Sequence, residues 1–138
     1  MIVVDTSAVI EIVLAGPRAQ DCAVAIDQAD DLAMSAGTLS EALIVALGKG
    51  GPLLRSKLEA LLASFEPTIV SLDAAAARAV GDAYAMWGKG SAPNCLNWGD
   101  CYAYTAAQAL SAPILFIGND FGQTDVTSVL ANPSTKTS

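Results

Sequence analysis

The chain has 138 residues, 53% of them hydrophobic, and a net charge of −7. That length fits one domain with a sizeable core and excludes wholesale disorder, while the acidic balance disfavours a simple non-specific nucleic-acid binder. There is no histidine, which removes histidine acid–base catalysis and histidine-bound zinc.

Ile2, Val3 and Val4 form a short continuous apolar run, the pattern of a strand covered on both faces. Asp5 ends it, Thr6 and Ser7 suit a helix start, and the pairs Val9-Ile10 and Val13-Leu14 recur at helical spacing. A second helix is expected over 17–30, opened by Pro17, and a short strand over Leu32–Ser35. A strongly apolar helix follows to Leu47, ended by Gly48, Gly50, Gly51 and Pro52. Another helix is expected over 53–64, with Leu54, Leu58, Leu61 and Leu62 as its stripe. A strand is placed over 68–72 and an alanine-rich helix over Ala74–Trp87.

Residues 88–97 are the one long irregular stretch, of a kind that is often functional. The next helix runs over Trp98–Leu110, a strand over 112–117 with Pro113 at its start, and a turn over Gly118-Asn-Asp-Phe-Gly. Residues 126–130 read as a short fifth strand. Strands alternating with helices predict a three-layer α/β domain over 1–131, with 132–138 a disordered tail. No basic leader precedes a long apolar run and no stretch is long enough to span a bilayer. Cys22, Cys95 and Cys101 lack metal-type spacing. A cytoplasmic protein with reduced thiols and no membrane association is expected.

In open parallel sheets, ligands bind beyond the carboxyl ends of the strands. Asp5 and Asp120 follow strands; Glu41 and Asp100 begin helices. Each has an ordinary reading. Asp5 suits a helix cap, Thr38-Leu-Ser-Glu41 fits a capping box, and Asn97 suits the cap ahead of Asp100. Asp120 and Asp125 suit turns. Together, four acids fall at one sheet edge with no basic residue in their segments. Clustered carboxylates repel, and a hard divalent cation resolves that.

Val-Val-Asp5-Thr-Ser-Ala, Ser40-Glu41, Asn97-Trp-Gly-Asp100-Cys-Tyr and Ile-Gly-Asn-Asp120-Phe resemble PIN-domain ribonucleases, and among them the VapC-type toxins of toxin–antitoxin pairs. The resemblance runs from Met1 to about Leu130. It implies a PIN-like α/β/α sandwich around a central parallel sheet of four or five strands. It further implies an endoribonuclease dependent on one or two Mg²⁺ or Mn²⁺ ions, held by Asp5, Glu41, Asp100 and Asp120. Asp125 either assists or only holds a turn. The implied substrate is cellular RNA, such as tRNA or rRNA, and the implied partners are a small VapB-like antitoxin and a second copy of the chain. The loop Gly90-Ser-Ala-Pro-Asn-Cys95 lacks the histidine or arginine that relatives often carry there.

With seven lysines and arginines, few residues can hold phosphate. Lys89, just ahead of the Asp100 helix, is better placed than Lys49, though an ordinary solvated lysine reads equally well. The apolar helices over 9–14 and 53–62 are expected to offer docking surface to the antitoxin. Two other readings are a catalytically inactive PIN-like interaction module and a Mg²⁺-dependent phosphatase. The phosphatase ordinarily needs a second aspartate where Ser7 stands.

Overall fold

The computed structural model describes residues 1–88 and 96–131. Its elements in order are β1 (Ile2–Val4), α1 (Thr6–Val13), α2 (Ala19–Gln28), β2 (Leu32–Ser35), α3 (Ala36–Phe65), β3 (Thr68–Val70), α4 (Ala74–Trp87), α5 (Trp98–Leu110) and β4 (Ile114–Leu115). The strands form one sheet in the order β3-β2-β1-β4, and every pairing is parallel. In register, Val3 stands beside Ala33 on one side and Ile114 on the other.

Successive side chains of a strand point to opposite faces, and the core divides accordingly. Ile2 and Val4 of β1, with Met34 and Leu115, pack against α1, α2 and α3. Val3, with Ala33 and Ile114, packs against α4 and α5. Both faces of the sheet are therefore covered, which is why β1 carries no polar residue. Each layer is sealed by small or branched apolar side chains: Ala8, Val9, Ala42 and Ala46 on one side, Ala103, Ala106 and Ala107 on the other.

The structure departs from the sequence expectations in several places. The two helices expected on either side of residues 48–52 are both present, but the first runs past Leu47 and they meet at a kink at Gly51 with no loop between them, so the two together make up α3. Gly51 takes φ 67° and ψ −161°, which a side chain would resist, and Pro52 then restarts the helix where its missing N–H costs nothing. The expected fifth strand is reduced to one parallel bridge between Ile114 and Ser128, held by Ile114 N–H to the Thr127 carbonyl and Val129 N–H to the Ile114 carbonyl. Strands β3 and β4 are shorter than expected, because they are the sheet's two outer strands and lose partners sooner.

The stripe Leu54, Leu58 and Leu62 is buried, as are Val9 and Ile10. Most of the apolar surface expected to receive a partner is thus core, since α1 packs on α3, and only Leu14 and Leu53 remain as large exposed residues of those stretches. Cys22 and Cys101 are free and buried. Among the described residues no helix is long and apolar enough to cross a membrane. Lys89, Cys95 and most of the 88–97 loop lie outside the described residues, as does the expected tail over 132–138.

Candidate active site

Asp5 stands between the end of β1 and the start of α1, and it is 3% exposed. It caps α1 with one oxygen only. Oδ2 accepts from the Ser7 backbone N–H at 3.1 Å and from the Ser7 hydroxyl at 2.7 Å. The Ser7 oxygen in turn accepts from the Ile117 N–H at 2.9 Å, and the Asp5 N–H donates to the Leu115 carbonyl at 3.0 Å. The ends of β1 and β4 are thereby locked together around this carboxylate. The other oxygen, Oδ1, is buried without any partner. Both readings of Asp5 hold at once, cap on one oxygen and vacant acceptor on the other. Burial pushes its carboxyl up to about 6; the Ser7 bonds pull it back, and the charge of Glu41 adds to the rise.

Asp100 occupies the first turn of α5 and is 8% exposed. The capping box read from the sequence is present: Asp100 N–H donates to Asn97 Oδ1 and Asn97 N–H donates to Asp100 Oδ2, each at 2.9 Å. Burial pushes this carboxyl up to about 8. The Asn97 bond opposes the rise, and the charges of Asp5, Asp120 and Glu41 increase it. The acids that act on Asp100 are therefore the three others expected at this edge.

Glu41 does not close a capping box with Thr38. The helix begins earlier, with Ser35 as its cap and the Ser35 hydroxyl oxygen accepting from the Gly37 N–H at 3.1 Å. Glu41 is left free to accept from the Thr6 hydroxyl at 2.5 Å, a bond from α1 to α3. Its carboxylate lies against Gly99, where any Cβ would collide with it. Asp120 is exposed in the turn after β4. That turn is anchored by buried Phe121, whose ring stands 4.9 Å from that of Phe116.

Asp125 is held elsewhere. It accepts from the Tyr104 hydroxyl at 2.7 Å and from Gln108 Nε2 at 3.2 Å, while the Tyr104 oxygen accepts from Trp87 Nε1 at 2.9 Å. These bonds tie the loop after β4 to α5 and to the end of α4. Of the two readings left open for Asp125, its contacts favour holding a turn.

Among the described residues the one ion pair is Arg18–Asp21, so none of the four acids is paired with a cation. The donor set is all oxygen, which suits a hard divalent ion. No three of the acids already converge as a ready-made metal cage among the described residues. Mg²⁺ does not require one, since it keeps several waters and commonly enters through one or two carboxylates. The unpartnered Asp5 Oδ1 is the atom that fits such an ion best.

Residues 2–126 match the PIN domain family model. The chain belongs to the PIN-domain family. Ribonuclease VapC36 of Mycobacterium tuberculosis is 40% identical to this PIN domain over 125 residues, covering 90% of each chain. Among solved structures, the Mycobacterium tuberculosis toxin VapC20, described as cleaving the sarcin–ricin loop, superposes with a TM-score of 0.78 at 13% identity, covering 92% of this chain and 97% of that one. A chain of a toxin–antitoxin complex from Klebsiella pneumoniae superposes with a TM-score of 0.69 at 16% identity, covering 96% of this PIN domain and all of that chain. The parallel sheet and its helical layers are thus those of VapC toxins.

From the sequence, Thr6 and Ser7 read only as a helix start, and Gly99 carries no role. A serine two residues after an aspartate is a recognisable side-chain turn signal, and it was available at Ser7. The Thr6 bond to Glu41 joins positions 35 residues apart, and nothing local announces it.

Proposed function

We propose that this PIN domain is a divalent-metal-dependent endoribonuclease, the toxin of a toxin–antitoxin pair, acting on phosphodiester bonds of cellular RNA such as tRNA or rRNA. The observation that carries this reading is a buried Asp5 oxygen without a partner, beside an Asp100 whose carboxyl feels the charges of Asp5, Glu41 and Asp120. Asp5 and Asp100 are the residues we assign to hold the ion, with Glu41 and Asp120 completing its surroundings. When bound, Mg²⁺ or Mn²⁺, as one ion or two, supplies neutralisation of the phosphoryl oxygens and an activated water.

The chain's own residues do the positioning. Ser7 pins Asp5 Oδ2 and leaves Oδ1 as the vacant acceptor. Thr6 steers Glu41, and the Asn97 backbone steers Asp100. Without a cation, burial and the neighbouring acids favour the protonated form of Asp100, and positive charge brought among them would favour its ionised form. Lys89 is our assignment for a phosphate contact, and Lys89→Ala should then reduce the salt slope of RNA binding by about one. The named ribonuclease relatives support the activity. The toxin–antitoxin neighbour supports a small antitoxin as partner. A homodimer is the assembly we infer.

The test is purified protein incubated with total RNA and with p-nitrophenyl phosphate, each with and without Mn²⁺. RNA should be cut only with the ion, and the phosphomonoester left intact. Turnover of the phosphomonoester would point to a phosphatase instead. Absence of any cleavage, together with tight binding of the neighbouring small reading-frame product, would point to an inactive interaction module.

A further inference from the structure

Glu41 also lines a cleft of about 140 Å³ between α3 and α5. It is lined by Ser40, Glu41 and Ile44 of α3 and by Trp98, Gly99 and Tyr102 of α5. At its mouth stand two of the most exposed large apolar side chains of the molecule, Trp98 at 69% and Ile44 at 66%. The Trp98 and Tyr102 rings are 5.9 Å apart and tilted by 60°. Tyr102 is pinned from behind, because its ring fills the space that a Cβ on Gly37 would take. An exposed indole, backed by a fixed phenol ring, thus borders a carboxylate of the acidic centre.

We propose that this cleft is a nucleobase subsite, in which Trp98 stacks an unpaired base of the RNA next to the phosphate being cut. The proposal rests on the nuclease reading given above. Three observations select a base over other occupants. The chain carries 14 acidic and 7 basic residues, so charge gives it little hold on RNA, whereas aromatic stacking is indifferent to the protein's charge. The cleft is far smaller than the roughly 300–1,000 Å³ of a drug-sized ligand pocket, which leaves room for one ring system and not for a length of polypeptide. Glu41 itself is part of its lining, and Trp98 stands two residues before Asp100 in α5. The Ser40 hydroxyl at its wall gives a base edge both a donor and an acceptor. Stacking of this kind requires a base free of its helix, so the subsite selects single-stranded or looped RNA.

The experiment compares wild type with Trp98→Ala, Trp98→Phe and Trp98→Leu. It uses a labelled, unstructured twelve-nucleotide RNA and the same RNA with abasic sites. Cleavage is followed with Mn²⁺, and binding by anisotropy in the non-cleaving Asp100→Asn background. Trp98→Ala should raise KM about tenfold with a smaller change in kcat, and should weaken binding to match. Phe should restore most of the loss and Leu should not, because leucine keeps apolar area without a π face. The abasic RNA should bind wild type as poorly as intact RNA binds Trp98→Ala. The melting shift produced by Mn²⁺ should be the same in all four proteins, which shows that the fold and the acids are intact. An unchanged KM in Trp98→Ala, or Leu performing as well as Phe, overturns the subsite while leaving the nuclease standing. Lost antitoxin binding or a lost dimer, with KM unchanged, overturns it in favour of a protein interface. Indole-dependent RNA binding in a wild type that cuts nothing would retain the subsite and refute the nuclease.

Discussion

The two halves of α5 treat their acids in opposite ways. In its first turn Asp100 is buried among Asp5, Glu41 and Asp120, and each added charge raises the cost of ionising it. One turn later Tyr104 reaches Asp125, which also takes a bond from Gln108, and the Tyr104 oxygen is itself served by Trp87. Asp125 is thus satisfied by neutral donors, and its network joins α4, α5 and the last loop. The acidic centre is satisfied only in part, and Asp5 Oδ1 has no partner at all. A buried acceptor left open costs stability that a purely structural device would recover. One region ties elements together, and the other leaves a buried acceptor open.

Breaking the first region should have the larger functional effect. Asp100→Asn keeps size and a hydrogen-bond acceptor but loses the charge, so RNA cleavage should fall on the order of a hundred- to a thousandfold. The same is expected for Asp5→Asn. Circular dichroism should show both variants folded, and Mn²⁺ should raise their melting temperature less than that of wild type. A folded Asp100→Asn protein that cuts at the wild-type rate would sink the mechanism.

Gly99→Ala tests the same region without touching a charge. The new methyl meets the Glu41 carboxylate, so Glu41 or the start of α5 must shift. Stability in urea unfolding should change by about 1 kcal/mol or less, because the end of the glutamate can swing aside and alanine favours the helix, while cleavage should fall because Glu41 is displaced. A stable, fully active Gly99→Ala variant would mean that Glu41 has room to move.

Breaking the second region should separate stability from activity. Asp125→Ala should cost about 0.5–1.5 kcal/mol, the net worth of an ordinary hydrogen bond at a site open to solvent. Cleavage should stay within a few-fold of wild type. If it falls as far as in Asp100→Asn, Asp125 belongs with the acidic centre after all.

A further contrast lies in the pH dependence of stability. The folded carboxyls of Asp5 and Asp100 titrate near 6 and 8, above the ordinary 3.8. Between about pH 4 and 8 the folded chain therefore binds more protons than the unfolded chain. In EDTA its stability should fall as pH rises through that window. Asp100→Asn should flatten the slope. Melting curves at several pH values give the comparison directly.

Much of this was legible beforehand, and the gaps have physical reasons. β2, α4 and α5 follow the residue pattern closely, because caps such as Asp73 and Asn97 sit next to strong periodic runs. The break within α3 is legible from the breakers clustered at 48–52; only its sharpness is not, since Gly51 alone leaves helical geometry. The four acids could be placed at one edge from topology alone. The fate of Asp125 could not, since its partner Tyr104 is 21 residues away in sequence. The cap of α3 was missed because Ser35 serves two elements at once, ending β2 and starting the helix.

That double duty sets how the site can adapt. With no loop between β2 and α3, the pitch and rotation of the helix are inherited from the sheet, and Glu41 has no slack of its own. Asp5 is clamped just as firmly, between β1 and the end of β4. Asp120 rides an exposed turn fastened chiefly by the Phe121 ring. Were the proposed ion bound, Asp5 and Glu41 would reach it from positions tied to the sheet and Asp120 from an exposed turn, so differences in ion size would be taken up first by that turn.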